Sequence, residues 1–229
     1  MAVLMTGSLA AGPAGCGTEK KMKNILCFGD SNTYGESPEG FGRYERHERW
    51  PGILQEKLGP EYYVIEEGLN GRTTVWDDPV EGDKNGLKHL PSCIASHTPL
   101  DLVIIMLGTN DFKSRFSVTS SEVAASAGQL VIAARQVPNY KVDYPFKILL
   151  VSPPCLRDKT FLGEIMDHHY EDTKRLGALI AETARLHGTE FLDIAQVAEA
   201  SELDGLHFDR EAHKKVAAAM EQKIREILG

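Results

Sequence analysis

No apolar run in this 229-residue chain exceeds six residues, from Leu102 to Leu107, far short of the roughly 20 that a membrane-spanning helix needs. No cluster of Lys and Arg is longer than "EKKMK", and the formal net charge is -8, so there is no electrostatic footprint for a phosphate backbone. Neither a membrane nor a nucleic acid is an expected partner. Cysteine is scarce: Cys16, Cys27, Cys93 and Cys155 lie far apart with no CxxC pair, and three of them sit in apolar or Pro-flanked segments that suit small buried thiols. A cytoplasmic location is expected. Nothing marks a repeat, a long linker or a second domain, so residues 22–229 read as one domain. Residues 1–21, "MAVLMTGSLAAGPAGCGTEKK", lack the basic start and sustained apolar middle of a secretory signal and are expected to be a mobile extension.

What is present is ordinary globular composition, with 42% apolar and 25% charged residues, which argues against disorder. Four apolar runs of strand length, "NILCF", "YYVIEEGL", "DLVIIML" and "KILLVSP", and a weaker fifth, "EFLDIA", each end in polar or Gly/Pro punctuation. Their continuous apolarity implies burial on both faces. Between them lie helical segments at 49–59, 87–97 (broken by Pro91), 120–137 and 163–188. A last helix after Asp209 as N-cap carries Ala212, Val216, Met220, Ile224 and Ile227 as one stripe. Alternating strands and helices predict a three-layer α/β/α sandwich whose mostly parallel sheet binds ligands at the carboxyl ends of its strands.

Just past those ends stand Gly29-Asp30-Ser31, Gly68-Leu69-Asn70-Gly71-Arg72-Thr73, Gly108-Thr109-Asn110-Asp111 and Ser152-Pro153-Pro154. Ser31 reads either as a capping turn residue or as a nucleophile, and a nucleophile needs a base that is itself oriented by a third group. Of eight histidines, His207 differs from the rest, because "LDGLHFD" puts Asp204 three residues before it in a turn ahead of the last helix. The alternative is that Asp204 closes a turn and His207 packs at a helix start. The backbone N–H groups of Ser31 and Gly71 and the side-chain amide of Asn110 are candidate donors to an oxyanion. Gly71 alternatively serves a turn with positive φ, and Asn110 a cap.

Together "FGDSNTYG", "GLNGRT", "MLGTND" and "DGLHFD" resemble the four sequence blocks of the SGNH hydrolases, the GDSL esterase and lipase family, with Ser31, Gly71, Asn110 and His207 as the naming residues. "VIEEGLNGRTT", "PLDLVIIMLGTND" and "VSPP" are most similar to its bacterial arylesterase and acyltransferase group. The resemblance implies a flavodoxin-like fold and a Ser31–His207–Asp204 mechanism that needs no metal or other cofactor. It also implies short-chain ester substrates and assembly into a homo-oligomer.

The expected function is a serine esterase acting on short-chain aryl or alkyl esters through an acyl-enzyme on Ser31, with acyltransferase or perhydrolase side activity. A carbohydrate-ester deacetylase, thioesterase or lysophospholipase of the same fold stays open. A phosphate- or nucleotide-binding module is disfavoured because "GDSNTYG" lacks both GxGxxG and GxxxxGK[ST] spacing. Thr33 stands where the GxSxG elbow of the α/β-hydrolases has its last glycine, which disfavours that fold. Asn32 replaces the Leu of the family's shorthand motif and is expected to make the wall beside the nucleophile more polar. Tyr34 and Glu36 match positions that are aromatic in better-known acyltransferase members, so Glu36 favours hydrolysis over acyl transfer. Asn32, Tyr34 and Asp30 are the candidate substrate contacts, Asp30 with the alternative of tying down its loop.

Overall fold

A computed structural model describes residues 21–40, 42–158, 165–166 and 169–229. The expectation of a mobile extension falls, but for Lys21, outside the described residues, as does part of the expected 163–188 helix. Five strands, β1 (Lys23–Gly29), β2 (Tyr62–Gly68), β3 (Leu102–Met106), β4 (Lys147–Ser152) and β5 (Glu190–Asp193), form one sheet in the order β2-β1-β3-β4-β5, and every pairing is parallel. The order reverses between β1 and β3, which puts the switch-point crevice where the chain leaves those two strands.

The continuous apolarity of β1 follows from its place inside the sheet. Leu26 and Phe28 point into one core with α3 (Gly86–His97), α4 (Ser120–Arg135) and α6 (Leu176–His187). Ile25 and Cys27 point into the other, with α2 (Trp50–Leu58) and α7 (Arg210–Leu228). Two short helices, α1 (Ser31–Tyr34) and α5 (Tyr170–Thr173), complete the described helices of the α type. The stripe on α7 is buried at Ala212, Val216, Met220 and Ile224, and Asp209 caps the helix by accepting the Ala212 N–H at 2.8 Å. Among the described residues no helix is long and apolar enough to cross a membrane.

Three sequence expectations change. The described part of the expected 163–188 helix holds two helices, α5 and α6, with a turn at 174–175 between them. Helix α3 runs unbroken through Pro91, because a proline removes one helical donor while Leu90 and Ile94, fully buried on either side of it, hold the helix to the core. Edge strand β2 is only half apolar: its Glu66 receives Arg43, Arg46 and Arg49, charges that suit an unpaired sheet edge.

Candidate active site

Strand β1 ends at Gly29 and turns directly into α1. The capping role that the sequence leaves open for Ser31 is filled by Asp30, whose carboxylate accepts the Asn32 N–H at 3.0 Å. Ser31 is thereby the first helical residue, with its hydroxyl committed elsewhere: Oγ lies 3.0 Å from His207 Nε2. On the other side of the ring, His207 Nδ1 is 2.7 Å from Asp204 Oδ2. The second oxygen of Asp204 accepts the backbone N–H groups of Leu206 (2.9 Å) and His207 (3.0 Å). Burial alone would raise the Asp204 carboxyl, but the His207 ring and these two N–H groups outweigh it and lower it, so Asp204 stays ionised. An ionised Asp on Nδ1 fixes the tautomer whose Nε2 lone pair faces Ser31.

The expected wall residue Asn32 turns inward instead. It is 1% exposed, its Nδ2 donates to the Leu206 carbonyl at 3.2 Å, and its Oδ1 accepts the Phe208 N–H at 2.9 Å. Asn32 thus holds the backbone on both sides of His207 rather than lining a wall. Asp30, also 1% exposed, ties down its loop through the Asn32 N–H; burial raises it to about 6, against that N–H and the neighbouring His207. Tyr34 is half-buried under the Arg43 guanidinium, 4.2 Å from its ring centre. Glu36 accepts the Asn70 side-chain N–H at 2.6 Å.

The loops after β1, β2 and β3 are stitched together. Arg72 Nη1 donates to the carbonyls of Gly29 (2.8 Å) and Glu67, and its guanidinium stacks on Phe28. The Arg72 carbonyl in turn accepts the Asn110 Nδ2 at 3.1 Å. An amide nitrogen carries two hydrogens, so one fixes Asn110 and one is left to donate. Next to it, the buried Asp111 accepts the Thr74 N–H and hydroxyl, and burial raises its carboxyl to about 6. Gly71 has a φ of 78°, the left-handed region its expected turn requires. Gly68 carries no side chain because a Cβ there would lie 2.1 Å from the Tyr34 backbone nitrogen, where α1 crosses the end of β2.

Three features escaped the sequence. Arg72 was legible only as part of a block, although a buried arginine must find acceptors. His213 is fully buried; its Nδ1 accepts the Trp50 N–H at 3.2 Å and so serves the start of α2, whose N-cap Arg49 offers no side-chain acceptor. Burial lowers it to about 3, keeping it neutral. Beside Gly71, Lys113 and Arg115 both pair with Asp78 and Glu81, fastening the 77–86 loop to the turn after Asn110.

The arrangement matches known proteins along almost its whole length. The sequence model of the GDSL-like Lipase/Acylhydrolase family matches residues 27–215. The structure of an aryl esterase of M. smegmatis is 37% identical over 90% of this chain and 100% of that one, with a TM-score of 0.85. A carbohydrate acetylesterase of Sinorhizobium meliloti gives the same identity, coverage and TM-score. An acetylxylan esterase of Xylanibacter ruminicola is 28% identical over 88% of this chain, which spans only 43% of that relative's length.

Proposed function

This chain belongs to the GDSL-like lipase/acylhydrolase family, and we propose that it is a serine esterase that hydrolyses short-chain carboxylic esters through an acyl-enzyme on Ser31. The observation that carries the proposal is the relay itself, with His207 Nε2 at 3.0 Å from Ser31 Oγ and Nδ1 at 2.7 Å from Asp204. Nε2 takes the Ser31 proton as Oγ bonds to the ester carbonyl carbon. The N–H groups of Ser31 and Gly71 and the free amide hydrogen of Asn110 receive the oxyanion. Collapse breaks the ester C–O bond, and the alcohol leaves with the proton from Nε2. Water then repeats the attack on the acyl carbon, giving its proton to His207, and the acid departs as Ser31 recovers its hydrogen.

Hydrolysis takes precedence over acyl transfer because the position that is aromatic in acyltransferase members holds the Glu36 carboxylate, paired here with the Asn70 amide, and polar groups favour water over an apolar alcohol. The same polar pair supports a second reading, an acetylated carbohydrate as substrate. Two relatives carry carbohydrate or xylan esterase names, which supports it. The enzyme is assigned to the cytoplasm on the free thiols of Cys27, Cys93 and Cys155, and to a homo-oligomer on the resemblance alone.

Rapid mixing with p-nitrophenyl acetate tests the main reading. A burst of p-nitrophenol equal to the enzyme concentration is expected, with none from Ser31→Ala; an active Ser31→Ala protein removes Ser31 from the chemistry. A parallel panel of aryl acetates, longer acyl esters and acetylated sugars separates the two substrate classes.

A further inference from the structure

A second cluster lies within electrostatic reach of Arg72, and the proposed esterase chemistry does not use it. We propose that Glu67, Cys93 and His97 form a transition-metal site suited to Zn2+. One ligand atom from each, a carboxylate oxygen, a thiol sulfur and a ring nitrogen, lie within 4.8 Å of one another. Tetrahedral Zn2+ with bonds of about 2.0 to 2.3 Å separates its ligand atoms by roughly 3.3 to 3.8 Å, so modest rotamer adjustments close the three on one ion.

Two rigid elements hold the donors. Glu67 sits on β2 in register with Phe28 of β1, and Cys93 and His97 stand one turn apart on the same face of α3. His97 Nε2 is already 2.9 Å from Glu67 Oε1. About a third of each of those two side chains is exposed, which gives the ion an entry path and room for water as a fourth ligand. Sulfur excludes the hard cations Mg2+ and Ca2+ as preferred occupants, and mixed S, N and O donors suit zinc.

The bland alternative is a His97–Glu67 hydrogen bond at a helix end with Cys93 as filler. That pair needs no sulfur, yet the thiol sulfur lies within 4.8 Å of the ligand atoms of both partners. On binding, the S–H bond gives way to a sulfur–metal bond and the proton passes to solvent. The ion would lie close to the frame of the ester site, because the Glu67 carbonyl accepts Arg72, whose own carbonyl holds Asn110.

The test uses the full chain, stripped with EDTA and titrated with Co2+ as a spectroscopic probe, followed by displacement with Zn2+. One Co2+ per chain and a thiolate-to-cobalt charge-transfer band are expected. The band should vanish in Cys93→Ser, and Zn2+ affinity should fall about 100-fold or more in both Cys93→Ser and His97→Ala, since a direct ligand counts for more than an outer-shell partner. Absence of the band in the parent at saturating Co2+, its persistence in Cys93→Ser, or unchanged Zn2+ affinity in His97→Ala overturns the site. Should Cys93→Ser fail to fold, His97→Ala, at a partly exposed side chain, decides the matter by itself. Neither arm reads ester turnover, so this site and the esterase reading stand or fall separately.

Discussion

Asn32 accepts the backbone N–H of Phe208 at 2.9 Å, across 176 residues of chain, while its own amide nitrogen donates to Leu206. The residue next to the nucleophile therefore sets the position of the loop that carries the base. Asn32→Leu, the residue of the family's shorthand motif, leaves a buried donor and a buried acceptor without partners, at about 1 to 3 kcal/mol each in stability. It should lower kcat about 10- to 100-fold through a misplaced His207, with little change in KM. Steady-state kinetics with p-nitrophenyl acetate measure the split. A rise in KM with kcat intact would return Asn32 to the substrate wall.

Asp204→Asn keeps the size of the side chain but presents an amide where Nδ1–H needs an acceptor. The ring is then free to take the other tautomer, and kcat should fall by ~10⁴, as for the equivalent change in a serine-protease triad. A loss under tenfold would mean that the backbone alone orients His207.

Asn110→Ala removes a proposed oxyanion donor and, with it, the bond to the Arg72 carbonyl. Turnover should drop by ~10² to 10³. If turnover is unaffected, the oxyanion is held by the backbone donors without Asn110.

Burial raises Asp30 and Asp111 to about 6, from roughly 4 in an unfolded chain. Between about pH 4 and about 6 the folded form then holds more protons than the unfolded form, and these two groups make stability fall as pH rises. His213 opposes them: lowered to about 3, it makes stability fall as pH drops below about 6.5. Removing one carboxyl by Asp111→Asn should move the balance toward His213, so that the melting temperature of the variant gains on the parent from about pH 4.5 to about pH 7. A constant difference across that range would mean that Asp111 titrates normally.

Chelation should leave ester turnover unchanged, because the acceptor for the Ser31 proton is an imidazole nitrogen rather than a metal-bound hydroxide. A first-order loss of activity in EDTA, restored by Zn2+, would tie the Glu67–Cys93–His97 cluster to catalysis.

Much of this fold is written locally. Strands β1, β3 and β4 announce themselves because they are buried on both faces, and α7 because its stripe and its Asp209 cap are continuous in sequence. Ser31, Gly71 and Asn110 were legible as candidates for a topological reason, since each follows a strand in a parallel sheet, and Asp204 and His207 because they share one short turn ahead of the last helix. What stayed hidden depends on distant partners. Nothing near Asn32 says that its amide will meet Leu206 and Phe208, and nothing near His213 says that it will serve the first turn of α2. The continuity of α3 through Pro91 was hidden likewise, because the core contacts that sustain it come from elsewhere in the chain.

Four of the bonds that frame the ester site end on main-chain carbonyls: those of Gly29 and Glu67 for Arg72, Arg72 for Asn110, and Leu206 for Asn32. A carbonyl is supplied by every residue type, so these four bonds fix the donating side chains of Arg72, Asn110 and Asn32 and place no demand of their own on the side chains of the accepting positions. Substrate preference can then drift through the surrounding loops, generation after generation, without disturbing the catalytic frame.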